Sequence, residues 1–213
     1  MNLVLIGPPA AGKGTQAGRI ALAWGVPRIS TGDILRQAIE SGDSLGISVK
    51  DIVSRGDLVS DDVMAELVSR RLADLDTRCG FVLDGFPRTI EQALILDALM
   101  EERGPLAVIE LTVPERELLR RLCQRRVCSA CGASARSPAT SSQRGCACGG
   151  SLVLRSDDNE TVARERLAVY TRATRPVLEF YEARRRLRTV NGNLPAEQVT
   201  AHINLAIDPR VDD

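Results

Sequence analysis

The stretch LVLIGPPAAGK, residues 3–13, decides the fold of this chain. Residues 3–6 form a continuous apolar run, which predicts a short buried strand, and a helix is predicted from about Lys13 to Trp24. Between them, residues 7–13 fit the pattern G-x-x-x-x-G-K. A loop of this kind points its backbone N–H groups at phosphate, and its lysine reaches the β- and γ-phosphate oxygens. The stretch therefore predicts a nucleoside triphosphate site on a P-loop fold, in preference to a glycine-rich turn without a ligand.

Lysine is rare in this chain, which gives Lys13 added weight. Lys13 and Lys50 are its only lysines, and the other 26 of its 28 basic residues are arginines. An arginine is consequently weak evidence of function here, whereas a lysine at a motif position is stronger evidence. His202 is the only histidine, so the sequence argues against a histidine-based catalytic pair or metal site.

Strands and helices are predicted to alternate along the rest of the chain. Further strands are expected at residues 80–84, 107–111 and 188–190, and a last helix from Pro195. Continuous apolar strands separated by helices indicate an α/β fold of the P-loop NTPase type, in which helices cover both faces of a parallel sheet in three layers. Ligands of such sheets bind beyond the carboxyl ends of the strands.

Two segments interrupt this alternation and are predicted to be insertions on the core. Residues 30–59 hold short helical pieces without an obvious strand, broken by glycines at positions 32, 42, 46 and 56. Residues 125–158 hold four of the six cysteines. The predicted core domain therefore comprises residues 1–29, 60–124 and 159–213.

Composition limits the partners and the compartment. The 28 basic and 28 acidic residues cancel, so no overall field draws the chain to nucleic acid or to a membrane surface. No apolar stretch approaches the roughly 20 residues that span a bilayer, and the first residues lack a basic leader. We expect a cytoplasmic protein, and in that reducing compartment clustered cysteines more often bind metal than form disulfides.

The clustered cysteines form two close pairs, Cys128-x2-Cys131 and Cys146-x-Cys148. Two turns that each present two thiolates can build a tetrahedral Zn²⁺ site, and a segment this poor in large apolar residues needs the folding energy that a metal supplies. Free thiols, partial ligation and, more remotely, an iron–sulfur cluster are the alternatives. Cys79 and Cys123 have no sequence partner and are predicted to be small buried residues.

One departure from the general phosphate-loop pattern narrows the family. Gly14 stands between Lys13 and Thr15, whereas the general motif places Ser or Thr directly after the lysine. The resulting GxPxxGKGTQ stretch resembles the nucleoside monophosphate kinases, and the resemblance to adenylate kinases continues over nearly the whole chain. It is carried by ordered motifs: Ile29-Ser30-Thr31-Gly32-Asp33, Leu35-Arg36, Asp84-Gly85-Phe86-Pro87-Arg88-Thr89 with Gln92, Arg125-Arg126-Val127, Arg155 with Asp157-Asp158, and Arg166.

The resemblance implies a Mg²⁺-dependent, reversible transfer of the γ-phosphate of ATP to AMP, giving two ADP. The implied ATP-binding residues are Ala10, Ala11, Gly12, Lys13, Gly14, Thr15, Arg125 and Leu194. The implied AMP-binding residues are Thr31, Arg36, Asp57, Leu58, Val59, Gly85, Phe86, Pro87, Arg88, Gln92, Arg155 and Arg166. The implied catalytic residues are Lys13, Asp84, Arg88, Arg125, Arg155, Asp157, Asp158 and Arg166.

Each implied role suits phosphoryl transfer, which needs positioning and charge neutralisation more than a general base. Arg88 would hold the AMP phosphate, Gln92 would read the adenine edge, and Asp84 would orient Mg²⁺ through waters. Arginines 125, 155 and 166 would surround the transferring phosphates, with Asp157 or Asp158 aligning them or the metal waters.

The resemblance also assigns the two insertions. Residues 30–59 would bind the nucleoside monophosphate, and residues 125–158 would form a zinc-binding lid that closes over ATP and excludes water. The lid departs from the family because its second cysteine pair encloses only Ala147, where C-x2-C or C-x2-D is usual. Its loop is also shorter, and Ala135 stands where a tyrosine is common. The resemblance further implies a monomer.

Two other functions remain open at this point. A kinase of the same family could act on UMP, CMP or GMP. A protein of another class could be an ATP-switched module whose zinc ribbon grips nucleic acid or protein, although the cysteine segment offers no aromatic residue for base stacking.

Overall fold

The computed structural model describes residues 1–130, 134–136, 145–146, 148–154 and 160–207. The predictions for Cys131, Arg155, Asp157 and Asp158 lie outside the described residues. Among the helices of the described ranges, none has the length and apolar character that a membrane crossing requires.

A five-stranded parallel sheet forms the centre of the molecule, as the sequence predicts. Its strand order is β2-β3-β1-β4-β8, and every pairing is parallel. The strands are β1 (Asn2–Ile6), β2 (Arg28–Ser30), β3 (Phe81–Asp84), β4 (Leu106–Thr112) and β8 (Leu187–Asn191). All five residues of β1 are buried, because the sheet is covered on both faces.

Helices lie on both faces of this sheet and give it three layers. The helices are α1 (Lys13–Trp24), α2 (Thr31–Ser41), α3 (Ser44–Arg55), α4 (Asp61–Leu72), α5 (Ile90–Met100), α6 (Glu115–Gln124), α7 (Glu160–Val169), α8 (Arg175–Glu182) and α9 (Ala196–Ala206). Val4 and Ile6 of β1 belong to one apolar core with α4, α5 and α8. Leu3 and Leu5 belong to a second core with α1, α6 and α9. Alternate residues of one strand thus supply two cores, which is the predicted three-layer α/β architecture.

Residues 30–59 differ from the prediction in two respects. Ser30 ends a strand, β2, that pairs with β3, and a three-residue strand is too short to produce a readable apolar pattern. Gly42 and Gly56 end α2 and α3, but Gly32 and Gly46 lie inside those helices. A Cβ at Gly46 would stand 2.0 Å from the Ala38 carbonyl oxygen, so this glycine lets α3 approach α2 closely instead of breaking a helix.

Residues 125–154 carry a separate three-stranded antiparallel sheet of order β6-β5-β7. Its strands are β5 (Arg125–Cys128), β6 (Ser134–Arg136) and β7 (Leu152–Leu154). The division of the chain into one core and two inserted domains stays a prediction.

The predicted burial of two cysteines is wrong: Cys79 and Cys123 are both exposed. Cys79 lies in the turn before β3, and Cys123 follows the buried residues Arg121 and Leu122 on α6, so it faces outwards. The sequence analysis also did not foresee the π-helical segment Tyr170–Thr174 between α7 and α8. Pro176 near the start of α8 cannot donate a backbone hydrogen bond, which is one reason for the helical register to change there.

Replacement of Gly46 by alanine tests the close packing of α2 and α3. Because the new methyl group would overlap the Ala38 carbonyl, we expect Gly46→Ala to lower the free energy of unfolding by about 1–3 kcal/mol. Gly18→Ala in α1 is the matched control, since a Cβ there meets nothing within 4 Å and alanine is a better helix former by roughly 0.5–1 kcal/mol. Urea unfolding of both variants measures the difference, and equal stabilities would contradict the packing.

Candidate functional site: a cationic cleft at the carboxyl edge of the sheet

The loop between β1 and α1 closes around the side chain of Lys13. Gly12 precedes the helix in a left-handed conformation, and the first turn of α1 contains no acidic residue to offset its positive end. The Lys13 ammonium donates hydrogen bonds to the carbonyl oxygens of Gly7, at 2.6 Å, and Pro8, at 2.9 Å. The lysine therefore lies across the loop instead of extending into solvent.

Positive charge is crowded around Lys13. Burial lowers the pKa of Lys13 to about 8, Asp84 opposes the shift, and Arg88, Arg166 and Arg125 reinforce it. These charged residues lie close together although they belong to different elements. Lys13 and Arg166 lie on α1 and α7, Asp84 ends β3, and Arg125 begins β5 of the small sheet. A cluster of partly buried cations, in which Asp84 is the carboxylate that acts on Lys13 among the described residues, is suited to binding a polyanion.

Arg88 is positioned by the turn that follows β3. Its Nε donates to the Gly85 carbonyl at 2.8 Å, which fixes the side chain beside the end of the strand. Burial lowers the pKa of Arg88, and Asp84 opposes this shift. Phe86, in the same turn, is anchored in the apolar core. The guanidinium is therefore held rigidly at the ligand-binding edge of the sheet.

Two adjoining cavities meet at Arg88 and Arg166. The first, of ≈ 510 Å³, lies on the Lys13 side, and the second, of ≈ 580 Å³, lies against α2 and α3. Four residues line both cavities: Gly56, Leu58, Arg88 and Arg166. Two ligands bound side by side would therefore share the two arginines.

Each cavity is bordered by a buried hydroxyl for which the described residues supply no hydrogen-bond partner. Tyr170, which lines the first cavity, has such a hydroxyl, and burial raises its pKa. Thr31 Oγ1 is its counterpart at the second cavity. Unpaired buried hydroxyls are costly, so these two are candidates to bind ligand. Tyr170 lies in the unforeseen π-helical segment and carries no motif, so the sequence analysis missed it.

A chain of ion pairs links the second cavity to Asp84. Asp33 accepts hydrogen bonds from Arg36 and from Arg28, the latter at 2.6 Å, and Arg28 also lies 3.8 Å from Asp84. Burial raises the pKa of Asp33, but Arg36 and Arg28 outweigh it, so the pKa lies below its usual value. Arg28 begins β2, which the sequence analysis did not recognise.

Gln92 lines the second cavity, and both polar atoms of its side-chain amide are hydrogen-bonded. Its oxygen accepts from the Arg88 backbone N–H at 2.8 Å, and its nitrogen donates to Asp61 at 2.7 Å. Gln92 is buried, with only 1% of its surface exposed. Asp61, at the start of α4, lies outside the sequence motifs, so it was not predicted to belong to the site.

The loop after β8 is held by an arginine that the sequence analysis also missed. Arg121 is buried on α6 and donates to the Gly192 carbonyl at 3.1 Å and to the Asn193 side chain at 2.8 Å. A third bond runs from Arg121 to Glu117, whose pKa falls to about 2 through its bonds with Arg120 and Arg121. Leu194, in this loop, packs against the second core.

Three of the four predicted metal ligands lie together in the small sheet. The sulfur atoms of Cys128, Cys146 and Cys148 are within 4.8 Å of one another, and those of Cys128 and Cys148 are 3.4 Å apart. Zinc–sulfur bonds of about 2.3 Å place tetrahedral ligand atoms roughly 3.8 Å apart, so the three thiols suit one ion. The Gly149 N–H donates to the Cys146 carbonyl, which closes the turn that carries the second pair. This group could hold a metal ion.

Comparison with known proteins agrees with this geometry. The family profile described as "Adenylate kinase" matches residues 5–186. The chain belongs to the adenylate kinase family. It is 43% identical to an adenylate kinase of Methanocella arvoryzae over 97% of this chain and 98% of the relative. It is 46% identical to an adenylate kinase of Symbiobacterium thermophilum, over 97% of this chain and 98% of the relative. It is also 46% identical to an adenylate kinase of a Geobacillus strain, over 95% of this chain and 96% of the relative.

Most described residues that were predicted to bind nucleotide meet at the two cavities of this adenylate kinase family member. They are Lys13, Thr31, Arg36, Asp57, Leu58, Val59, Gly85, Pro87, Arg88, Gln92 and Arg166. Ala11 and Phe86 have their side chains in the cores, so only their backbone groups can face a ligand. Asp84 and Arg125 lie near enough to shift the pKa of Lys13. Ala10, Gly12, Gly14, Thr15 and Leu194 line neither cavity, and all individual roles stay predictions.

The pKa of Lys13 predicts a pH dependence of ATP binding. The ammonium form is the one predicted to bind the phosphates, and it predominates below pH 8, so the dissociation constant should rise by about tenfold for each pH unit above 8. Titration with ATP and excess Mg²⁺ from about pH 7 to about pH 9.5 measures the change. Lys13→Arg stays charged over this range, so its affinity should not vary with pH in this way. The same slope in both proteins would contradict the assignment to Lys13.

Proposed function

We propose that this chain transfers the γ-phosphate of Mg²⁺-bound ATP to AMP and, in reverse, regenerates ATP and AMP from two ADP. The observation that carries the proposal is the shared wall of the two cavities, where Arg88 and Arg166 face both nucleotide positions. Transfer between two polyanions requires cations at their junction. The sequence alternatives, a pyrimidine or guanine nucleotide kinase and a nucleic-acid-binding module, are not favoured by the family or its relatives.

The first cavity is the proposed ATP site and the second the proposed AMP site. Lys13 and the loop at residues 7–12 would bind the ATP phosphates, with Arg125 beside them. Thr31, Arg36 and Arg88 would bind the AMP phosphate, while residues 57–59 enclose the base. Arg166 would neutralise charge on the transferring group together with Arg155, while Asp157 or Asp158 would align these arginines or the waters of the metal ion.

Asp84 is the proposed contact of the chain with Mg²⁺. Members of the family use this ion with ATP, and carboxylate oxygens are the hard ligands that Mg²⁺ prefers. Asp84 ends β3 with 13% of its side chain exposed, beside Lys13, which suits an aspartate that holds the waters of an ion at the phosphates. When bound, Mg²⁺ neutralises phosphate charge and orients the transferring group. A cytoplasmic location and a monomeric state stay predictions.

The proposed activity is tested by mixing the protein with ATP, Mg²⁺ and AMP and measuring ADP. We expect Arg88→Lys to lower kcat by about a hundredfold, because a lysine cannot reproduce the planar guanidinium between the nucleotides. Arg184→Lys is the matched control, since Arg184 stacks on Phe180 and lines neither cavity. A bisubstrate compound that joins two adenosines through five phosphates should inhibit the enzyme. Failure to form ADP from AMP would contradict the function.

We propose that Cys128, Cys131, Cys146 and Cys148 bind a structural Zn²⁺ ion. The support is the clustering of the three described sulfur atoms and the burial of Cys128. The Ala130 backbone N–H also points at Cys128 Sγ, 3.4 Å away, where it would stabilise a thiolate. Residues 125–158 would then be a lid whose internal structure depends on the metal, with its ends acting as hinges.

Replacement of Gly150 by alanine tests the metal site through its geometry. A Cβ at Gly150 would stand 2.5 Å from Cys128 Sγ, so we expect Gly150→Ala to reduce bound zinc well below one ion per chain and to lower Tm. Gly145→Ala is the control, because its nearest contact would be an ordinary 3.8 Å. Metal analysis of both purified variants measures the effect, and full zinc in Gly150→Ala would contradict the site.

A chelator should likewise lower Tm more than it lowers turnover at mild temperature.

A further inference from the structure

The amide of Gln92 is fixed in one orientation by two groups of opposite character. A backbone N–H can only donate, so the Arg88 N–H requires the amide oxygen of Gln92, 2.8 Å away. A carboxylate accepts, so Asp61 requires the amide nitrogen, 2.7 Å away. Rotation of the amide by half a turn would set N–H against N–H and oxygen against carboxylate. Since Gln92 is buried, water cannot relieve either mismatch.

The fixed amide presents a defined hydrogen-bonding pattern to the second cavity. Each amide oxygen has two lone pairs, and each amide nitrogen has two hydrogens. Arg88 and Asp61 use one of each, so one acceptor and one donor remain, in a fixed order. Gln92 lines the second cavity, where these remaining groups can meet the edge of a base.

The order of donor and acceptor distinguishes two classes of purine. Adenine has an amino donor at position 6 and an acceptor at N1, which pair with the oxygen and the N–H of an amide. Guanine and hypoxanthine have an acceptor at O6 and a donor at N1, which is the same pair in exchanged order. A glutamine that can rotate serves either class, whereas a locked one serves only one.

We propose that Asp61 is a specificity-determining positioning residue, which locks the Gln92 amide so that the acceptor site takes 6-aminopurine and rejects 6-oxopurine monophosphates. The proposal rests on the proposed function, in which Gln92 reads the base of AMP. Asp61 does not line the second cavity, so it acts through Gln92 and not by touching the substrate. Its position thirty-one residues before Gln92 is set by the packing of α4 on α5.

The test compares AMP with IMP, which carries the 6-oxo pattern but lacks the 2-amino group of GMP. The substitutions are Asp61→Asn, which keeps the shape of the side chain, and Asp61→Ala, which removes the acceptor. Both release the amide nitrogen of Gln92 from a fixed carboxylate. We expect the ratio of kcat/KM for AMP to that for IMP to fall by about tenfold, with the change mainly in KM.

Asp62→Ala is the matched control, because Asp62 is exposed and lies in the same first turn of α4. It removes the same charge from the helix start without touching Gln92, so its AMP-to-IMP ratio should equal that of the unmodified chain. Gln92→Ala alone should abolish the preference for AMP over IMP. Asp61→Asn added to Gln92→Ala should then change the ratio no further, which is the signature of two residues that act as one unit.

Two results would overturn the proposal. A fall of kcat/KM by the same factor for AMP and IMP in both Asp61 variants would assign Asp61 a purely structural role. An undiminished effect of Asp61→Asn in the Gln92→Ala background would show that it does not act through Gln92. Failure of the proposed function is distinguishable from both, because the unmodified chain would then not phosphorylate AMP at all.

Discussion

The burial of positive charge at the carboxyl edge of the sheet is the constraint on which the rest of the structure depends. Lys13 and Arg88 are both partly buried, and desolvation lowers the pKa of each. Asp84 offsets both shifts, but it carries one negative charge whereas Lys13 and Arg88 together carry two positive charges. A fold keeps such a cost only where a ligand removes it. The phosphates of two bound nucleotides would add negative charge beside these cations, so we expect nucleotide binding to stabilise this edge of the sheet.

Topology brings these charges together at the point where the strand order reverses. β1 lies between β3 and β4, so the chain leaves β1 and β3 on neighbouring loops at one edge of the sheet. The register pairs Leu5 with Asp84 and Ser30 with Asp84, which sets the phosphate loop, the aspartate and Thr31 side by side. Helix starts and backbone N–H groups at this edge add further positive potential. The site is therefore a consequence of the parallel sheet as well as of its motifs.

The sequence predicted the fold and most of the described residues that line the candidate site, because the strands and the motifs are readable locally. Continuous apolar strands and the G-x-x-x-x-G-K loop are readable over a few residues, and the motif residues follow from the family resemblance. The features that were not predicted from the sequence have no local signal. β2 has three residues, Arg28 and Asp61 act through partners that only folding brings near, and the burial of Arg121 depends on the loop after β8. The exposure of Cys79 and Cys123 is likewise set by orientation and not by residue type.

A metal ion at the small sheet would contribute to the position of an arginine as well as to folding. Among the side chains described between residues 125 and 154, Cys128 is the one that is buried, so these described side chains do not form an apolar core. Arg125, which adds to the positive charge at Lys13, is the first residue of β5, and Cys128 is the last. An ion held by the thiol at one end of this strand would fix the direction of the arginine at the other. The rigidity that brings the arginine to the phosphates would then come from coordination geometry, while the lid as a whole stays able to open and release product.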